Sequence, residues 1–176
     1  MVPELRQKQA AEKLCQHLVH HALVNQAQKI ALYLAQDGEI DLTPTLTQLW
    51  KSNKQCYLPI VQADDKLLKF ARYTPDTQLK PNHFAILEPA DRDTLDIADM
   101  EVVLVPLVAF DHYGHRLGRG GGYYDFSFAA RKSAHKPFAM GCAYAFQQQP
   151  PLPADSWDIK LDAVATEQGL IEFAKC

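Results

Sequence analysis

Apolar positions recur along this chain in two rhythms. Between residues 3 and about 24 they fall on one helical face, with Leu14, Leu18 and Ala22 four apart, so the spacing predicts a helix that opens at Pro3 and ends near Asn25. Lys29 to Ala35 (KIALYLA) is instead a short, almost unbroken apolar run, the pattern of a buried strand. A polar turn, Gln36-Asp37-Gly38-Glu39-Ile40-Asp41, follows it. Thr43-Pro44 then caps a second helix carrying Leu46, Leu49 and Trp50, which stops at Lys51-Ser52-Asn53. Gln55 to Val61 and Leu67 to Tyr73 read as strands, with Asp64-Asp65 in the turn between them. Thr74 to Asp99 reads as a long ordered connection with a solvated tip at Asp91-Arg92-Asp93, and connections of that length tend to be functional.

Glu101 to Phe110 is a near-continuous apolar run of the kind buried on both faces of a parallel sheet. It leads to a glycine cluster, a helix from Tyr123 to Lys132, a strand from Phe138 to Phe146, a Pro-rich loop to Asp158, and a last strand from Leu161 to Thr166. Strands alternating with helices in this way predict an α/β protein: one domain, a mostly parallel twisted sheet, and helices on both faces. A ligand crevice is expected beyond the carboxyl ends of the strands, where the turns after Ala35 and Phe110 emerge together.

Of the eight glycines, four lie between 118 and 122 and a fifth is Gly114. Glycine costs conformational entropy, so a cluster between a strand and a helix calls for a local reason. A loop without Cβ atoms can bring successive N–H groups against a ligand, and phosphate is the usual guest. Arg116 and Arg119 could supply guanidinium donors to it, and Asp125 could hold Mg²⁺ directly or through water. The loop matches neither the Walker pattern nor GxGxxG, and a tight turn without a ligand is the plainer alternative. Glu39 and Asp41 stand where working carboxylates would, at a strand end, but taken alone they fit better as acids that complement the next helix dipole.

Composition narrows the field. The 176 residues are 47% apolar and 22% charged, and 18 Lys+Arg against 21 Asp+Glu leave a net charge of −3. No global basic field invites nucleic acid or an anionic membrane, so phosphate binding must be local. Neither a membrane span nor a signal peptide stands out, and a cytoplasmic protein is expected. Cys15, Cys56, Cys142 and Cys176 form no CxxC, which suggests neither zinc nor a disulfide framework. His17 and His21 have metal-ligand spacing but no third ligand; with His20 they read as solvated-face residues, and His112 and His115 as loop polar groups.

Several blocks carry a more specific signal. Val105-Pro106-Leu107-Val108-Ala109-Phe110-Asp111 runs into Arg116-Leu117-Gly118-Arg119-Gly120-Gly121-Gly122-Tyr123-Tyr124-Asp125. Tyr33-Leu34 with Gly38-Glu39-Ile40-Asp41 precedes them, as do Leu58-Pro59 and Glu88-Pro89; Leu152-Pro153, Trp157-Asp158 and Thr166-Glu167 follow. In these blocks, taken in order over nearly the whole chain, the sequence resembles the 5-formyltetrahydrofolate cyclo-ligases, also called 5,10-methenyltetrahydrofolate synthetases.

The resemblance implies an ATP-dependent ring closure in one-carbon metabolism, converting 5-formyltetrahydrofolate, with or without a polyglutamate tail, to 5,10-methenyltetrahydrofolate in the presence of Mg²⁺. It implies that ATP lies along Arg116, Leu117, Gly118, Arg119, Gly120, Gly121, Gly122, Tyr123 and Tyr124. Folate is then expected at Leu34, Glu39 and the segment Arg119 to Tyr123, with Arg119 and Tyr123 nearest the chemistry. Asp125 and Asp158 match the family's magnesium-linked aspartates, and a monomer is expected. The family's basic Lys-x-x-Leu-Arg segment has no clear counterpart, because Pro3-Glu4-Leu5-Arg6 matches a later stretch. Arg6 and Lys8 are therefore not carried over, and weak ATP binding is expected. A folate- or nucleotide-binding module without turnover, and a phosphosugar isomerase or CoA-transferase-like enzyme, are the rival classes.

Overall fold

The computed structural model describes residues 3–62, 64–129 and 136–174. In chain order the elements are α1 (Glu4–His20), α2 (Ala22–Gln26), β1 (Lys29–Ala31), α3 (Thr43–Lys51), β2 (Gln55–Ile60), β3 (Lys69–Tyr73), β4 (Leu79–Pro81), β5 (Leu87–Pro89) and β6 (Thr94–Asp96). After them come β7 (Val102–Pro106), β8 (Ala109–Phe110), β9 (Arg116–Leu117), α4 (Tyr123–Ala129), β10 (Phe138–Cys142), β11 (Ala163–Thr166) and β12 (Gly169–Glu172). Eight strands form one sheet in the order β12-β11-β10-β7-β1-β2-β3-β6. The five from β11 to β2 are parallel, and β12, β3 and β6 add antiparallel edges.

Strict alternation along the central strands divides the core between two faces. Ile30, Leu32, Val102, Leu104 and Met140 pack on one side with Leu14 and Leu18 of α1 and Leu46 and Leu49 of α3. Ala31, Val103, Val105 and Ala139 point to the other, where Phe70, Phe110 and Phe128 of α4 cover them. Helices thus lie on both faces, as the alternation of elements predicts. Leu14 and Leu18 are wholly buried, so truncating either to Ala costs about 2–5 kcal/mol.

Several boundaries differ from the sequence expectation. The first helix breaks at His21, which is extended (φ −68, ψ 128). Its ring lies tilted against that of Phe138 at 5.6 Å and its Nε2 lies 3.1 Å from Glu172, so the side chain is buried against the sheet rather than on a solvated face. Regular pairing of β1 ends at Ala31, although the Leu32 N–H still reaches Tyr57 O at 3.0 Å before the chain leaves the sheet. Leu42, not Thr43-Pro44, occupies the cap of α3, and Asp41 Oδ1 accepts the Thr43 N–H at 2.9 Å. The long connection contains the β4–β5 hairpin and the edge strand β6. The solvated tip is anchored in part, since Arg92 pairs at 3.0 Å with Glu88, which is 3% exposed.

The apolar run from Glu101 also divides. It stops as a sheet strand at Pro106, and Ala109 and Phe110 then pair with Leu117 and Arg116 in a separate two-stranded ribbon. The Val108 N–H to Leu117 O bond, 2.7 Å, closes the ribbon's open end. Past Cys142 the expected strand gives way to a short 3₁₀ turn at Ala145–Gln147. Residues 130–132 of the expected helix after the glycines, and Cys176, lie outside the described residues.

Candidate functional site

Two loops meet beyond the carboxyl ends of adjacent strands β1 and β7. The first begins where β1 runs out and contains the turn Gln36–Glu39, closed by the Glu39 N–H to Gln36 O bond at 2.9 Å. Asp37 (φ 44) and Gly38 (φ 86) are both left-handed, which bends the turn sharply enough to bring Glu39 back toward the sheet. Its side chain is 13% exposed. Burial pushes the carboxyl up, against the Gln36 N–H and Arg119, which favour its charged form. Tyr33 donates to Ile40 O at 3.0 Å and fixes the far side of the turn; burial raises its phenol well above the ordinary range. Leu34 packs into the core on the α1/α3 face.

The second loop is the glycine segment. Upstream it hangs from Asp111, a carboxylate with no exposure that accepts the N–H groups of Tyr113 (2.9 Å), His115 (3.0 Å) and Leu152 (2.9 Å) and lies 3.0 Å from His115 Nδ1. Burial opposes its charge, but these bonds outweigh burial and hold its pKa at about 2. The ribbon then delivers Arg116, whose side chain is 5% exposed; Nη2 donates to Asp125 Oδ1 at 2.8 Å, and the guanidinium carbon stands 5.9 Å from the Tyr124 ring. Arg116 Nε is buried and, among the described residues, has no hydrogen-bond partner.

Leu117 is 40% exposed, and the loop from Gly118 to Gly121 is open to solvent. Gly120 and Gly122 take positive φ (87 and 71), and among the described residues nothing stands within 4 Å of where a Cβ at Gly120 would sit. A Cβ at Gly118 would lie 3.1 Å from Arg116 Nη1, and one at Gly121 would lie 2.8 Å from the Tyr123 ring, so both side chains fold back over bare backbone. Tyr123 meets Phe84 of the β4–β5 hairpin edge-on at 6.2 Å. Burial raises the Tyr124 phenol, Glu39 adds to the rise and Arg116 opposes it.

Arg119 joins the two loops. Its Nε donates to Glu39 Oε1 at 3.1 Å, Nη1 to Asp37 Oδ2 at 2.8 Å, and Nη2 to Gln36 O at 2.7 Å. The candidates Arg119 and Glu39 are therefore in contact, as are Arg116 and Asp125. Asp158 is held nearby along the chain, since the Ile159 N–H donates to Asp125 Oδ1 at 3.2 Å. The Asp158 carboxylate itself accepts the Asp155 N–H at 2.8 Å. Sequence reasoning found no use for Asp37; the Asp-Gly pair, a strong turn signal, was the available clue.

This is an α/β protein whose parallel central strands present an acid turn and a glycine-rich, arginine-flanked loop at one end. The model of the 5-formyltetrahydrofolate cyclo-ligase family matches residues 1–167. The 5-formyltetrahydrofolate cyclo-ligase of Haemophilus influenzae is 40% identical over 161 residues, covering 89% of this chain and 85% of that protein. The Escherichia coli K12 protein of the same name is 35% identical over 98% of this chain and 96% of its own. The solution structure of Aquifex aeolicus 5,10-methenyltetrahydrofolate synthetase superposes with a TM-score of 0.83 at 32% identity, covering 99% of this chain and 87% of that one. The chain belongs to the 5-formyltetrahydrofolate cyclo-ligase family, a family of ligases.

Proposed function

We propose that this protein closes the folate ring: it converts 5-formyltetrahydrofolate and ATP to 5,10-methenyltetrahydrofolate, ADP and phosphate. The formyl group on N5 is amide-like, a poor electrophile whose oxygen leaves badly. Transfer of the γ-phosphoryl group to that oxygen creates a leaving group and an electrophilic iminium carbon. N10 of the same folate attacks this carbon and loses its proton, and phosphate departs to leave the methenyl bridge. No protein nucleophile is required, so the protein's work is positioning and charge stabilisation.

The observation that carries this reading is Arg119, one guanidinium bonded to the acid turn while seated in the glycine loop. In this reading the triphosphate lies along Arg116 to Tyr124 and the pterin against Glu39 and Leu34, with the reacting groups between them beside Arg119 and Tyr123. The unpartnered Arg116 Nε fits a phosphate oxygen, since a buried donor left alone is costly. Asp125 and Asp158 offer hard oxygen donors suited to Mg²⁺, which would neutralise phosphate charge there. An ion held there would complete its shell with water and phosphate oxygens.

The same reading has the enzyme work as a cytoplasmic monomer on folates with or without added glutamates. No helix among the described residues is long and apolar enough to cross a membrane. Incubation with 5-formyltetrahydrofolate and Mg-ATP should produce the methenyl chromophore. Chromophore formed without ATP, or ligand binding without product, would overturn the proposal.

A further inference from the structure

Asp37 has no part in the mechanism above, yet it makes the nearer of the two carboxylate contacts to Arg119. The three guanidinium nitrogens reach three separate acceptors, all within the turn Gln36–Glu39. A guanidinium has five N–H donors, and among the described residues the second N–H on each terminal nitrogen meets no acceptor, which leaves it for a ligand oxygen. Backbone shape creates this arrangement. Consecutive left-handed residues, Asp37 (φ 44) and Gly38 (φ 86), turn both carboxylates and the Gln36 carbonyl toward one side chain. Among the described residues only this turn bonds the Arg119 side chain, which sits between two glycines and is 43% exposed. A long, flexible stem in that setting samples many rotamers unless it is tied.

We infer that Asp37 is a positioning residue for the cyclisation. It fixes the Arg119 guanidinium so that the two remaining donors are oriented before the substrates arrive, and it touches neither substrate itself. This rests on the cyclo-ligase reading. Because one guanidinium serves both ligands, disturbing its anchor must affect both together.

The test compares Asp37→Ala, Asp37→Gly and Asp37→Asn in the full chain, measuring kcat and KM for ATP and for 5-formyltetrahydrofolate alongside the unfolding temperature. Ala removes the acceptor, and Gly removes it while accepting a positive φ, so a loss common to both does not come from backbone strain. Both should lower kcat/KM for both substrates by about fivefold, the upper range for an exposed ion pair. Asn keeps an acceptor oxygen and tolerates the left-handed backbone, and should remain within about twofold of wild type. Unchanged kinetics in Ala and Gly, a loss confined to folate KM, or a lowered KM for ATP would overturn the inference; the last would make Asp37 a competitor of the nucleotide. A wild-type protein that forms no methenyl product overturns the functional reading itself, and the inference with it.

Discussion

Replacing Arg116 by Met separates its contribution to the fold from its contribution to the ligand. The wild-type side chain is 5% exposed and donates at 2.8 Å to Asp125, which is 19% exposed. Removing one partner of a buried ion pair costs about 3–5 kcal/mol because the other charge is left uncompensated. Here the cost falls to about 2 kcal/mol, since Asp125 keeps the Ile159 N–H and some contact with water. Adding Asp125→Asn to Arg116→Met removes the stranded charge and should restore at least half of that loss. Urea unfolding at neutral pH of both single variants and the double variant gives the coupling. Calorimetric titration with Mg-ATP below the unfolding transition gives the second quantity. Loss of one charge-assisted bond is worth about 1.5–3 kcal/mol, or about ten- to hundredfold in affinity. Arg116→Met as stable as wild type, or a double variant showing no coupling, would refute the structural half; unchanged ATP affinity would refute the ligand half.

Two further outcomes follow from the buried carboxylates. Asp111 has its pKa lowered from 3.8 to about 2, so its ionised form stabilises the fold by about 2 kcal/mol above pH 4, an advantage lost as pH falls toward 2. Asp111→Asn should be less stable than wild type by about that amount at pH 7, with the two converging near pH 2; parallel stability curves across that window would contradict the assignment. Burial opposes the charge of Glu39, so Glu39→Gln should unfold no more readily than wild type while raising KM for 5-formyltetrahydrofolate about tenfold or more. An unaltered folate KM would remove Glu39 from the pterin site.

The alternation of apolar runs made the α/β class legible, because strands buried on both faces leave a signal that does not depend on their neighbours. Boundaries were harder to read. Val102 to Phe110 is apolar throughout, but the first part lies in the sheet and the last part in a separate two-stranded ribbon, and periodicity does not register the change of hydrogen-bonding partner between them. Strands β4 and β6, three residues each, and β12, four residues, are too short for a pattern. At the site, the glycine cluster and its arginines announced themselves by composition, whereas Leu34 looked like core and Asp158 like an ordinary loop acid; only the family resemblance singled those two out. Asp37 was invisible for a different reason: its importance lies in which residue 82 positions away reaches it, a fact that only the fold supplies.

The parallel pairing of β1 with β7, Ile30 beside Val102, sits near the middle of the sheet, and each strand carries one wall of the proposed reaction chamber. The gap between those walls is therefore gauged by the main-chain spacing of two adjacent, buried strands. The outer strands β6 and β12 close the two edges of the sheet and take no part in setting that gap. An insertion of one residue in β1 has no such freedom: it would reverse which side chains face the core and carry the acid turn out of reach of its arginine.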